Sequence, residues 1–463
     1  MSVKAAFMVP HPPMIVPEIG RGGEAQITET TEAYEQVARE IGRLDPETMI
    51  IISPHSVMYT DYIHISPGKG ADGSFSQFGA GKVKFHVDYD TELVREICDL
   101  AEAEDLPAGT LGERDKRLDH GTMVPLWFIS RTIDLNKCNV VRIGLSGLPL
   151  TDHYRLGMII REAVERCGRD IVVVASGDLS HKLQKYGPYG FAEEGPVYDE
   201  RVMDVCGRGA FGELLDFSES FCEQAAECGH RAFVVMAGAF DGQDVESTVL
   251  SHQDVTGVGY GICTFYPGKV NVNRRFLDEY LRKKEEAADL KRQLEDPYVG
   301  LARRSLEKYV LRKKRINVPD DLPKEMLETR AGAFVSIHKD GALRGCIGTI
   351  GPTADCLAEE IIENAISAST RDPRFPPISP EELDRLEINV DVLGEPEDIS
   401  SPDELDVKRY GVIVRSGGRR GLLLPDLDGV DTVEKQIDIA RQKAGIPPGG
   451  KIKLQRFEVI RHT

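Results

Sequence analysis

Four short runs rich in β-branched residues, Ala5–Val9, Met49–Ser53, Val140–Leu145 and Ile171–Ala175, recur along the first part of this 463-residue chain. Each is followed by a polar, Gly or Pro residue, the pattern of a short buried strand. Between them, Thr31–Leu44, Thr91–Ala103 and Tyr154–Cys167 carry apolar positions at helical spacing. Strand and helix in repetition leave few ways to cover both faces of a sheet. They predict an α/β N-terminal domain, a mostly parallel sheet flanked by helices, with Gly259–Tyr266 as its last strand.

The pattern then changes. Asn273–Glu295 is dense in Lys, Arg, Glu and Leu and reads as an exposed, mostly helical connector. From Pro297 a helix (Val299–Leu311) is followed by two apolar runs, Ala333–His338 and Leu343–Ile350, around the turn Lys339-Asp340-Gly341, a hairpin signal. Helix Ala354–Ser369, strands near Leu386–Leu393 and Gly411–Leu424 and helix Thr432–Ala444 complete a separate α+β C-terminal domain. The expected division is 1–268, a linker over 269–296, and 297–463.

Charge supports two independently built halves. From Pro297 onward 26 Lys/Arg face 28 Asp/Glu, a net of −2, whereas the first 296 residues carry 31 against 48, a net of −17. An overall charge of −19 argues against nucleic-acid binding, which needs a basic face. The nine cysteines contain no C-x-x-C pair, so neither a zinc ribbon nor a disulfide framework is expected, and a reducing compartment fits. No apolar run is long enough to span a membrane, and His11 with three prolines interrupts the short apolar N-terminus. A cytoplasmic protein is expected.

Four histidines carry the chemistry. His11 (VPHPPM), His55 (IISPHS) and His181 (VVVASGDLSH) each follow a predicted strand, and His120 lies in LDHGTMVPL before an apolar segment. Ligands of open α/β sheets bind at the carboxyl ends of the strands, so one crevice can collect these side chains. Pro10, Pro12, Pro13 and Pro54 stiffen the backbone beside His11 and His55, as a metal ligand requires. Imidazoles plus a carboxylate suit Fe(II), Mn(II) or Zn(II). Glu227, at the start of the apolar run AAECGHRAFVVMAGAF, is the candidate carboxylate, though a helix N-terminus also favours an acid there. His64, His86, His153, His252, His338 and His462 lack such a context, and His230 is no candidate ligand.

With PHPPM, SPHS, DHG, GDLSH and the acidic position before the last apolar helix in this order, about the first 268 residues resemble the class III extradiol ring-cleavage dioxygenases (the LigB-like catalytic subunit) and the related Memo family. The resemblance implies His11, His55 and Glu227 as ligands of Fe(II), with His120 and His181 as acid and base. It implies extradiol oxygenation of a catechol- or aminophenol-like aromatic with O2, and Asp178 and Ser180 orienting His181. Cys228, beside Glu227, matches a cysteine that lines the site in Memo-like proteins, where a metal- or peptide-binding scaffold is the alternative. A hydrolytic zinc site is a third reading.

The C-terminal part resembles the AMMECR domain through LRGCIGT (Leu343–Thr349) and STRDPRFPP (Ser369–Pro377). Arg344, Arg371 and Arg374 near Cys346 suggest an anion site with an activated thiol, or else Cys346 is a packed strand residue. Fusion of these two domain types resembles a system that also contains a radical S-adenosylmethionine enzyme, which implies such a partner. The resemblance is also compatible with a homo-oligomer.

Overall fold

The computed structural model describes every residue except Met1, Asp340 and Asp428, and leaves the side chain of Glu381 undescribed. The expected turn at Lys339-Asp340-Gly341 therefore has its central residue outside the described residues. The chain separates into two compact units, Met1–Arg282 and Lys283–Thr463. Among the described residues, no helix is long and apolar enough to cross a membrane.

The N-terminal unit is built on a six-stranded sheet. Its strands are β1 (Val3–Val9), β2 (Thr48–Ile52), β3 (Asn139–Ile143), β4 (Ile171–Ser176), β5 (Gln243–Gln253) and β6 (Tyr260–Val270). Their spatial order is β3-β2-β4-β1-β6-β5. The first four run parallel; β6 pairs antiparallel with β1 and with β5. The sheet is thus mostly parallel, as the alternation predicts, with an antiparallel hairpin closing one side. Strands β2 and β4 are buried along their whole length, which is why TMIII and IVVVAS read as unbroken apolar runs.

Helices cover both faces: α1 (Thr28–Leu44), α2 (Thr91–Ala103), α3 (His120–Ile129), α4 (Leu150–Cys167), α5 (Glu194–Arg208) and α6 (His230–Gly238). One apolar core joins Ile50, Ile52 and Val173 to α2, α4 and α6; the other joins Phe7, Ile51 and Val174 to α1 and α3. A hairpin of Gly70–Phe75 with Ala80–Asp88 adds a turn, Ser76–Phe78, that reaches the site described below.

Helix α7 (Phe276–Leu294) occupies the expected connector. The second unit has helices α8 (Pro297–Arg312), α9 (Leu357–Thr370) and α10 (Val433–Lys443). Its strands are β7 (Ala333–Lys339), β8 (Ala342–Gly348), β9 (Leu386–Leu393), β10 (Glu397–Ile399), β11 (Tyr410–Ser416), β12 (Arg419–Leu423) and β13 (Lys453–His462). They form an antiparallel sheet, β8-β7-β9-β13-β11-β12, with β10 also on β13. The run Gly411–Leu424 is thus two strands, broken at Gly417-Gly418, and β13 lies where no strand was expected.

Candidate metal centre

The carboxyl ends of β1, β2 and β4 converge, and each delivers a predicted residue. His11 stands two residues beyond β1, His55 three beyond β2, and Asp178 two beyond β4. Two groups of potential metal-ligand atoms, each within 4.8 Å of one another, occur among the described residues: His11 with His55 and His120, and His11 with Asp178 and Cys228. His11, almost fully buried, belongs to both.

A chain of hydrogen bonds orients His11, and it begins with a proline. Pro125 lies inside α3 and has no N–H for the carbonyl of Gly121, four residues back. That carbonyl instead accepts from Ser176 Oγ at 2.6 Å. Ser176 has spent its only hydrogen, so the 3.0 Å contact between His11 Nδ1 and Ser176 Oγ places the proton on Nδ1. His11 therefore turns the lone pair of Nε2 into the crevice. There His55 Nε2 stands 3.0 Å away and Cys228 Sγ 3.6 Å away. Each of these two pairs has the separation of donors sharing one ion through bonds of about 2.0–2.1 Å to nitrogen and about 2.3 Å to sulfur, while His55 and Cys228 belong to different groups.

His55 is held through Ser53, whose Oγ accepts from the His55 backbone N–H (3.2 Å) and donates to Asp119 Oδ1 (2.5 Å). Asp119 caps α3, accepting from Thr122 N at 3.0 Å, and so places His120 as the first residue of the helix. The His120 ring stacks on His55 with centroids 4.0 Å apart, and the edge of Phe78 closes its far side at 5.5 Å.

His181 bonds the Ala226 carbonyl through Nδ1 and turns Nε2 toward Asp178 Oδ2, 3.9 Å away. Tyr189 lies edge-on to it at 5.1 Å. Asp178 Oδ1 accepts from His11 N at 2.8 Å, and its backbone N–H points at Cys228 Sγ, 3.3 Å away. Ser180, expected to orient His181, donates to the Ala225 carbonyl instead.

Burial sets the protonation states. Burial, then the neighbouring His55 and His120, holds His11 well below the ordinary imidazole range. Burial lowers His55 as well, and burial followed by His55 brings His120 to about 4. All three are neutral near pH 7, the form that binds metals or accepts protons. Burial raises the Asp178 carboxyl, His181 opposing it, and raises the Cys228 thiol strongly. A metal ion would supply the charge that deprotonates this thiol.

Glu227 occupies a different place from that expected of a third ligand. Its Oε2 accepts the backbone N–H of His230, at the start of α6, at 2.6 Å. Burial raises its carboxyl to about 7. It answers an otherwise unpaired helix N-terminus, and Cys228, one residue on, carries the donor that faces His11. Ser176, Gly121, Asp119, Phe78 and Tyr189 had not been singled out; the proline inside the DHG helix was the available signal for the first two. His230 and His153 are buried neutral rings, each at about 4 through burial, bonded to the Leu214 and Pro149 carbonyls.

In the second unit two of the three arginines expected around Cys346 are already paired. Arg344 forks onto Glu382 (3.0 and 2.9 Å) and Arg374 onto Asp372 (2.9 and 2.7 Å), while Arg371 is exposed. Cys346 accepts from Ser336 Oγ at 3.3 Å, and its N–H donates to Asp372 at 2.9 Å. The cluster ties β8 to the Pro-rich loop after α9.

The pattern of a family described as the catalytic LigB subunit of aromatic ring-opening dioxygenase matches residues 5–263, and that of AMMECR1 matches residues 299–462. A protein of Clostridium acetobutylicum is 39% identical over 471 aligned residues, covering 100% of this chain and 99% of its own. A protein of Thermotoga maritima is 55% identical over 170 residues, 36% of this chain and 98% of its own. An uncharacterized protein of Pyrococcus horikoshii with a solved structure is 37% identical, covering 35% of this chain and 88% of its own at a TM-score of 0.34. A second, from Escherichia coli K12, is 15% identical and covers 56% and 99% at a TM-score of 0.38. With the family pattern spanning more than half its length, this chain belongs to the LigB family and carries an AMMECR1 domain after it.

Proposed function

We propose that the N-terminal unit is a metal-dependent oxidoreductase, with His11, His55 and Cys228 holding Fe(II). Its substrate is a small planar aromatic with adjacent oxygen or nitrogen donors, catechol- or aminophenol-like, oxygenated in the extradiol manner with O2. The observation that carries this reading is the lone pair of His11 Nε2, fixed from behind by Ser176 and set 3.0 Å from His55 Nε2 and 3.6 Å from Cys228 Sγ.

Bound Fe(II) would supply redox chemistry and Lewis acidity at that point. The chain's own residues do the rest. His120, neutral at pH 7, accepts a proton from the substrate hydroxyl. His181, its Nδ1–H bonded to the Ala226 carbonyl, offers a lone pair at Nε2 and hands on a proton only after taking one up there. Phe78 and Tyr189 each lie edge-on to one of these imidazoles. Replacing His181 with Ala is expected to leave iron content unchanged while O2 uptake with catechol or 2-aminophenol is lost; an unchanged rate contradicts the assignment.

Cys228 favours a second reading, since a thiol stands where a carboxylate was expected: a metal- or peptide-binding scaffold acting with a radical S-adenosylmethionine enzyme in a modification pathway. Iron retained without O2 uptake on either substrate, together with binding to such an enzyme, supports it.

A further inference from the structure

Helix α5 buries a carboxylate within its length. Asp199, in VYDERVMDV, has a side chain only 2% exposed, and a buried carboxylate needs partners. Its Oδ1 accepts the backbone N–H of Ser180 at 2.8 Å. Its Oδ2 accepts from His252 Nε2 on the edge strand β5, also at 2.8 Å. Two glycines make room for this arrangement. A Cβ on Gly259, just before β6, would overlap Asp199 Oδ2, and one on Gly195, in the first turn of α5, would lie 2.8 Å from Ser180 Oγ.

Ser180 lies in the segment that carries Asp178 and His181. Leu179 N donates to the Gly259 carbonyl at 2.9 Å, and Gly259 N donates to the Ser180 carbonyl at 2.8 Å. Ser180 Oγ and His181 N donate to the Ala225 carbonyl, at 2.8 and 3.2 Å, and the His181 ring donates through Nδ1 to the Ala226 carbonyl. The place of this imidazole is thus set by its own backbone and by two carbonyls of one neighbouring loop. Asp199 is the acceptor of the Ser180 N–H, one residue before His181. Ser180 is fully buried, so truncating Asp199 leaves a donor without a partner, a cost that the segment escapes only by shifting.

His252 supports the carboxylate in turn. Burial pushes the Asp199 carboxyl up, and the hydrogen bonds from His252 and Ser180 oppose this. The bond to Asp199 raises the His252 imidazole against its own burial. Asp254 is the other carboxylate acting on both groups, and it accepts from Gln184 Nε2 at 3.0 Å. His252 thus favours the ionised form of Asp199, in which both oxygens accept. We propose that Asp199, steadied by His252, is a positioning residue for His181: it fixes the backbone from which the imidazole is presented and itself touches neither metal nor substrate. The inference rests on the acid–base role given to His181 above.

Two measurements on the full chain test this. The first needs no turnover. In metal-free protein carrying isotopically labelled histidine, the magnetic-resonance signal of the His181 Nδ1–H, identified by its loss in His181→Ala, reports the bond to the Ala226 carbonyl. Asp199→Ala is expected to speed exchange of this hydrogen with solvent about tenfold or more, whereas Asp199→Asn, which keeps Oδ1 as an acceptor for Ser180 N, restores the slow exchange. The second is O2 uptake with catechol or 2-aminophenol after Fe(II) loading. Asp199→Ala is expected to lower kcat about 10–100-fold with iron content and KM kept, and Asp199→Asn to recover most of the rate. If Asp199→Ala fails to fold, His252→Phe, which leaves Oδ2 without its donor, is expected to move both readouts in the same direction. Unchanged exchange in Asp199→Ala or His252→Phe, no recovery in Asp199→Asn, or iron lost together with kcat overturns the proposal. Exchange as expected in a wild type that takes up no O2 upholds the positioning of His181 and overturns the ring-cleavage reading instead.

Discussion

Ser176 has one hydrogen to give, and the Gly121 carbonyl takes it; the tautomer of His11 follows from that. Ser176→Ala removes the acceptor for His11 Nδ1–H and frees the ring to rotate or change tautomer. Metal affinity is expected to fall about 10–100-fold, read by competition with a chelator, with little change in the fold. At Glu227 a pH dependence is expected instead. Its folded carboxyl titrates at about 7, above the ordinary 4.5, because it is buried. The unfolded chain releases this proton first, so the stabilisation is fully present below pH 4.5 and is lost as pH rises through 7. Glu227→Gln is expected to gain up to about 3 kcal/mol at pH 8, with no gain at pH 4, in urea unfolding of the metal-free protein. The histidines were readable because strand ends in a parallel sheet share one edge. The choice between Glu227 and Cys228 was not, since adjacent side chains on a loop point apart and only the start of α6 at His230 decides which one faces the crevice.

At the scale of elements, the site depends on a crossing of backbones. Gly177, just beyond β4, lies against Gly229, just before α6; a Cβ on Gly229 would lie 2.8 Å from Gly177 Cα and 2.4 Å from the Phe233 ring. This close approach brings Cys228 beside Asp178 and His11. Gly229→Ala is expected to cost about 1–3 kcal/mol in urea denaturation and to weaken metal binding by moving the thiol away from His11. The buried parallel strands were legible as β-branched runs, and the helices between them as amphipathic ones. Strand β5 was not, because QDVESTVLSHQ is an edge strand with mostly polar, partly exposed residues. Strand β13 escaped although it is central in its sheet, because Lys453–His462 mixes charges through its length and keeps few positions buried.

Across the whole molecule, the uneven charge of the sequence matches two units with separate cores, the first acidic and carrying the candidate metal centre, the second near neutral. The fold class of each was readable from periodicity. Partners were not, because in the second unit Arg344 and Arg374, which looked like anion ligands, satisfy Glu382 and Asp372 of the same chain. The claim on which the functional account turns is the identity of the metal-holding residues. Iron content after anaerobic Fe(II) loading should be compared among the wild type and the His11→Ala, Cys228→Ala and Glu227→Gln variants of the full chain. About one ion per chain is expected in the wild type and in Glu227→Gln, with loss in His11→Ala and marked loss in Cys228→Ala. Iron lost from Glu227→Gln but kept in Cys228→Ala would contradict this assignment and make the glutamate the third ligand.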